Sequence, residues 1–169
     1  MAFFYTVCAA VATQRVSELW LANRNGRYIR SRGGYEVGAG HYKYIVMLHV
    51  CFFLSLLLEG MRTGGEPAPW WMATFSLFLL AQLFRYWCIL SLGRRWNTRI
   101  YVLPDAPLVR RGPYRFVRHP NYWIVTVELL VLPLTFSAYF TAVFFTLCNL
   151  WLLLRVRIPA EEQALRDQP

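Results

Sequence analysis

Five apolar stretches set between arginine-rich connections constrain this chain more than any other feature. They run from about Ala2 to Leu21, Tyr44 to Leu58, Trp70 to Leu92, Tyr122 to Leu134 and Phe136 to Leu154. The chain is 57% hydrophobic over 169 residues, above the roughly 45–50% of soluble domains. A bilayer core takes about 20 helical residues to cross. The third and fifth stretches meet that length, and the second and fourth must recruit interfacial residues. Pro133 falls between the last two and predicts a tight helical hairpin. The expected architecture is an all-α integral membrane protein of about five transmembrane helices. It forms a single domain over residues 1–169, with three N-terminal helices in 1–92 and a functional half in 93–169.

The basic residues give the orientation. Apart from Arg15, Arg62 and Arg85, all 18 lie in the first connection, the third connection or the tail. The positive-inside rule then puts the N-terminus outside and the C-terminus in the cytoplasm. An odd number of crossings agrees. The net charge of +9 flanks membrane spans, so contact with anionic membrane lipids explains it and nucleic-acid binding is not expected. Cys8, Cys51, Cys88 and Cys148 sit singly in four apolar stretches. With no CxxC spacing they read as small hydrophobes, and no metal site is expected. The N-terminus has no basic n-region or small-residue cleavage site, so the first stretch is expected to be retained. Arg15 and Glu18 share a helix face and can pair.

The third connection, Gly93 to His119, is long and partly apolar, and such loops are usually functional. Arg99-Ile100-Tyr101-Val102-Leu103 has extended character, and Pro104-Asp105-Ala106-Pro107 reads as a turn. The connection closes with Gly112-Pro113-Tyr114 and Arg118-His119-Pro120-Asn121-Tyr122. Pro120 suits the first turn of a helix. The free N–H groups of that helix favour an anionic group, and Arg118, His119 and Tyr122 add donors. Plain anchoring at the headgroups explains basic and aromatic residues too. It does not explain a histidine between arginine and proline. After the fifth stretch, Arg157 stands four residues before Glu161-Glu162. That spacing allows a helical pair, and one carboxylate can accept from a ribose diol. Glu128, inside the fourth stretch, is either a functional group or the partner of Arg85 or His49. Asn149 can bridge helices.

These motifs together, over roughly Arg94 to Leu165, resemble the isoprenylcysteine carboxyl methyltransferase family. Arg15-Val16-Ser17-Glu18-Leu19 and His41-Tyr42 further resemble a bacterial branch that O-methylates alkylpyrones or alkylresorcinols beside type III polyketide synthases. The resemblance implies methyl transfer from S-adenosylmethionine, with S-adenosylhomocysteine as product, at the cytoplasmic face. The cofactor pocket would be made by the loop before the fourth helix and the C-terminal tail. Carried over by motif, Leu108, Val109, Tyr114, His119, Pro120, Asn121, Tyr122 and Glu161 would line it, and Arg157 would face the acceptor. One departure is Ile124, where the family pattern commonly has glycine.

The acceptor would be a lipophilic small molecule, either a hydroxyl or a prenylcysteine carboxylate. A carboxylate needs only a cation to hold it. A phenol or enol benefits from a base, for which Glu128 or His119 would serve. Rival readings are a membrane N-methyltransferase, an NADPH-dependent membrane reductase of similar architecture, and a non-enzymatic membrane scaffold. No Rossmann glycine fingerprint is present. GxxxG is absent from the spans, and the sequence leaves the oligomeric state open.

Overall fold

The computed structural model of the chain describes residues 1–104 and 106–166. Six α-helices run in the order α1 (Ala2–Ser31), α2 (Ala39–Arg62), α3 (Trp71–Leu92), α4 (Pro120–Leu134), α5 (Tyr139–Leu152) and α6 (Ile158–Arg166). A π-helical turn, Leu153–Arg157, joins α5 to α6, so the two read as one long helix with a local widening. Two three-residue strands, β1 (Tyr35–Val37) and β2 (Ile100–Val102), pair antiparallel with Glu36 opposite Tyr101. The extended character of residues 99–103 is thus observed, and its partner strand is an addition to the all-helical expectation. Ala106 N–H donates to the Leu103 carbonyl at 3.3 Å, as a turn there requires. Asp105, in the middle of the expected turn, lies outside the described residues.

Among the described residues three helical segments are long and apolar enough to cross a membrane: Ala39–Arg62, Trp71–Arg95 and Tyr139–Arg166. Of the about five spans expected, α4 and α1 fall short of that length or apolarity, each in its own way. α4 has 15 residues, about 22 Å at ~1.5 Å per residue, shorter than a hydrocarbon core of about 30 Å. It packs along α3 and α5. α1 has 30 residues, but Gln14, Arg15 and Glu18 interrupt its apolar surface. The α4–α5 hairpin forms as Pro133 predicts. The chain turns through Thr135–Ala138, and Ser137 takes a left-handed conformation at φ 56°. Glu59 of α2 caps α5: its carboxylate accepts from Phe140 N–H at 3.0 Å and from Thr141 N–H at 2.8 Å. That satisfies two of the donors every helix start leaves open.

At this end of the bundle the core is aromatic. Phe4 and Phe136 are fully buried, with ring centroids 5.0 Å apart, and Val7, Val11, Phe52, Leu56, Phe78 and Leu132 pack with them. Midway along the helices apolar packing gives way to a closed ionic cluster. Glu128 pairs with Arg85 through both oxygens, with Arg15 at 2.8 Å and with the Gln82 amide at 2.7 Å. Glu18 accepts from Arg15 at 2.7 Å and from Arg85 at 3.2 Å. The expected Arg15–Glu18 pair is therefore present, inside a neutral quartet that ties α1, α3 and α4. Two arginines and two carboxylates leave no net charge, which makes burial in an apolar bundle tolerable.

The charged end is held by side-chain bonds to backbone carbonyls. Asn25 donates to the Trp96 carbonyl at 2.7 Å and Asn97 to the Ala22 carbonyl at 2.7 Å, fixing the loop after α3 against α1. Gly38, at φ 69°, starts α2 in a left-handed conformation, and the His41 ring lies where a side chain on Gly38 would be.

Candidate cofactor-binding site

At the charged end the loop before α4, the strand β2 and the tail helix α6 surround a cavity of about 460 Å³. Pockets for small ligands and cofactors usually run from about 300 to 1,000 Å³. Of the residues carried over by motif, Leu108, Val109, Tyr114, His119, Asn121, Tyr122, Arg157 and Glu161 all line it. Pro120 does not. It is buried at the first position of α4, where its ring aims the helix and leaves the flanking side chains to face the cavity.

Tyr122 is the hinge of the site. Its hydroxyl donates to Glu161 and accepts from Arg157 Nε at 3.0 Å. Arg157 also donates through Nη2 to the Thr98 carbonyl at 2.6 Å. One phenol thus locks the start of α4 to the tail and to the loop before β2. Arg157 reaches inward from the π-helical turn, a distortion that often marks functional sites because it re-aims the side chains that follow. It is 3% exposed. The His119 ring stacks on Tyr122 at 5.4 Å, with Nδ1 3.6 Å from Glu161 and Nε2 3.5 Å from Glu162. Burial, reinforced by the neighbouring Cys88 and Glu161, holds the Tyr114 phenol well above the ordinary tyrosine range. It is therefore a neutral donor.

Buried polar atoms normally have partners. Here His119 Nε2, Asn121 Oδ1, Arg157 Nη1 and Trp96 Nε1 are buried without one, and all four residues line the cavity. Donors and acceptors left open among the residues of one concave wall suit a polar ligand. Among the described residues no group of His, Cys, Asp or Glu is arranged to hold a metal ion.

Glu128 stands apart. It does not line this cavity, and its oxygens are occupied by Arg85, Arg15 and Gln82. The geometry therefore separates it from His119 and Arg157 and matches the alternative of a buried partner for Arg85. His49, the other alternative, instead bonds the Ile45 carbonyl at 2.8 Å. Asn149 bridges to Thr126 at 2.9 Å, a helix-to-helix bond. Trp96, Arg99 and Tyr101 line the cavity and were not singled out as site residues from sequence. The alternation of basic and aromatic residues after Gly93 was the available signal.

The described residues thus form a helical membrane bundle with a polar, cofactor-sized cavity at its charged end. Residues 72–167 match the isoprenylcysteine carboxyl methyltransferase family. The chain belongs to that family of membrane methyltransferases and is an integral membrane protein. It is 40% identical to the uncharacterized protein YpbQ of Bacillus subtilis, over 97% of each chain. It is 26% identical to protein-S-isoprenylcysteine O-methyltransferase B of Arabidopsis thaliana, over 75% of this chain and 64% of the plant protein. An uncharacterized protein of Haemophilus influenzae is 26% identical over 98% of this chain and 96% of its own length. No solved structure matches the chain.

Proposed function

We propose that the chain is an S-adenosylmethionine-dependent O-methyltransferase acting at the cytoplasmic face of a bacterial membrane on a lipophilic acceptor. The observation that carries this reading is the set of four buried, unpartnered polar atoms on the wall of one cavity, within the stretch that matches the methyltransferase family. Asn121 and Trp96 would take the adenine and Glu161 the ribose, with Tyr114 adding a neutral donor. The cofactor supplies a methyl group on a sulfonium, an electrophile that needs alignment more than activation. The protein's part is to fix the two reactants and exclude water.

Arg157, with Nη1 still free, would hold the acceptor oxygen. The preferred acceptor is an alkylpyrone or alkylresorcinol hydroxyl, ahead of a prenylcysteine carboxylate. Such a hydroxyl loses a proton as the methyl transfers. His119 would be the base: its Nε2 makes no hydrogen bond, and its ring stands between the Glu161 and Glu162 carboxylates. The charge distribution supports an N-terminus outside and a cytoplasmic C-terminus. Calorimetry of S-adenosylhomocysteine with detergent-purified protein tests the reading. Micromolar binding, weakened at least tenfold by Glu161→Ala, is the expected result. No binding by folded protein would refute it, and NADPH, whose 2′-phosphate Arg95, Arg99 and Arg110 could meet, is the ligand to titrate beside it.

A further inference from the structure

The loop before α4 presents a second face, on which Arg110 and Arg118 stand at the rim of the cavity and Arg111, Arg115, Phe116 and Val117 lie outside its lining. Arg110, Arg111, Arg115 and Arg118 are all exposed. Between the last two stand Phe116 and Val117, 76% and 45% exposed. Arg115 lies over the Phe116 ring at 5.9 Å. Among the described residues the only acidic contact of these arginines is Arg118 with Glu162, at 3.8 Å. Two apolar side chains held out among these arginines are unfavourable in water.

Their position resolves the difficulty. The 3₁₀ turn Gly112–Arg115 is docked on the last turns of α3, a membrane-spanning helix. Arg111 Nε donates to the Ser91 carbonyl at 2.7 Å. Gly112, at φ 57°, is pressed so closely on Ser91 and Trp87 that a Cβ would collide with the Ser91 hydroxyl. α3 has 22 residues, about 33 Å, so its last turns lie at the boundary of a hydrocarbon core of about 30 Å. Exposed Trp87 and Trp123 stand on the flanking helices, as aromatic residues do at that depth. At this level apolar side chains meet acyl chains and arginines meet phosphates.

We propose that the loop from Arg110 to Arg118 seats the phosphates of anionic bilayer lipids, with Phe116 and Val117 inserted among the acyl chains, and that this seating tightens the cofactor cavity. The coupling is built into the chain. Tyr114 and His119 line the cavity, and both lie on the same short segment as Arg115, Phe116 and Arg118. Fixing one face of that segment lowers the ordering cost of binding at the other. The lipid seat stands on the exposed residues alone, whereas its effect on the cavity rests on the cofactor reading above.

The test uses the full chain in nanodiscs of phosphatidylcholine, or of phosphatidylcholine mixed with phosphatidylglycerol. S-adenosylhomocysteine affinity is read by calorimetry and retained phosphatidylglycerol by native mass spectrometry. Affinity is expected to be about tenfold tighter in the anionic discs at low salt, and the gain to shrink at high salt. Arg115→Gln and Phe116→Ser, neither of which lines the cavity, should abolish the gain and reduce lipid retention, while Arg115→Lys should keep both. Equal affinity in the two discs, or a gain that survives in both loss variants, would overturn the coupling. Inorganic phosphate reproducing the gain in phosphatidylcholine discs would also overturn it, by pointing to a soluble anion. If wild-type protein binds no S-adenosylhomocysteine in either disc, the cofactor reading falls. Lipid retention unchanged in both loss variants would overturn the seat itself.

Discussion

Replacing Glu128 by glutamine separates a structural role from a catalytic one. The substitution keeps the side chain's shape and removes its charge. Arg85, whose side chain is 4% exposed, and Arg15 are then left with Glu18 as their only carboxylate. The neutral quartet becomes a cluster with one uncompensated positive charge among apolar helices. Breaking a buried pair by removing one partner costs about 3–5 kcal/mol, a large part of the ~5–15 kcal/mol that holds a typical protein folded. For a chain of this size it corresponds to a fall in Tm of about 6–20 °C. Glu128 does not line the cavity, so S-adenosylhomocysteine affinity should stay within about threefold of wild type, a free-energy change under roughly 0.7 kcal/mol. Differential scanning fluorimetry and calorimetry on one preparation give both numbers, and turnover on a long-chain phenol gives a third. An unchanged Tm together with lost turnover would refute the reasoning and make Glu128 the base. Replacing the pair together, Arg85→Met with Glu128→Leu, should recover much of the lost stability, since an uncharged pair carries no desolvation cost.

Tyr122→Phe removes the hydroxyl that Arg157 and Glu161 share. With both partners charged, the loss is about 2 kcal/mol, or about 30-fold in S-adenosylhomocysteine affinity by calorimetry; a change below threefold would show that the hinge does not organise the site. Glu59→Ala strips the cap from α5. It should cost about 1–2 kcal/mol, read as a lower Tm, with cofactor affinity unchanged because Glu59 sits at the end of the bundle away from the cavity.

The sequence by itself determined the membrane class, the α4–α5 hairpin and eight residues of the cavity wall. Each is a local property. Hydropathy accumulates over contiguous residues, Pro133 limits a helix to its own last turn, and Pro120 suits a first turn. The wall was legible because the residues before α4 form one short ordered run, with Arg157 and Glu161 one helical turn apart in another. Only the tertiary structure decided which charges neutralise which. Glu128 had Arg85 and His49 as candidates of equal merit along the chain. Packing of α1 and α3 on α4 gave it two arginines and left His49 on a backbone carbonyl. Glu59 found its donors on a helix some eighty residues further on, and the three-residue strand at Tyr35 became a strand only when Ile100–Val102 lay beside it. The π-helical turn that aims Arg157 inward has no local signature either. These features depend on partners distant in sequence, and a buried charge or an unpaired strand edge has no preferred state until the fold supplies its partner.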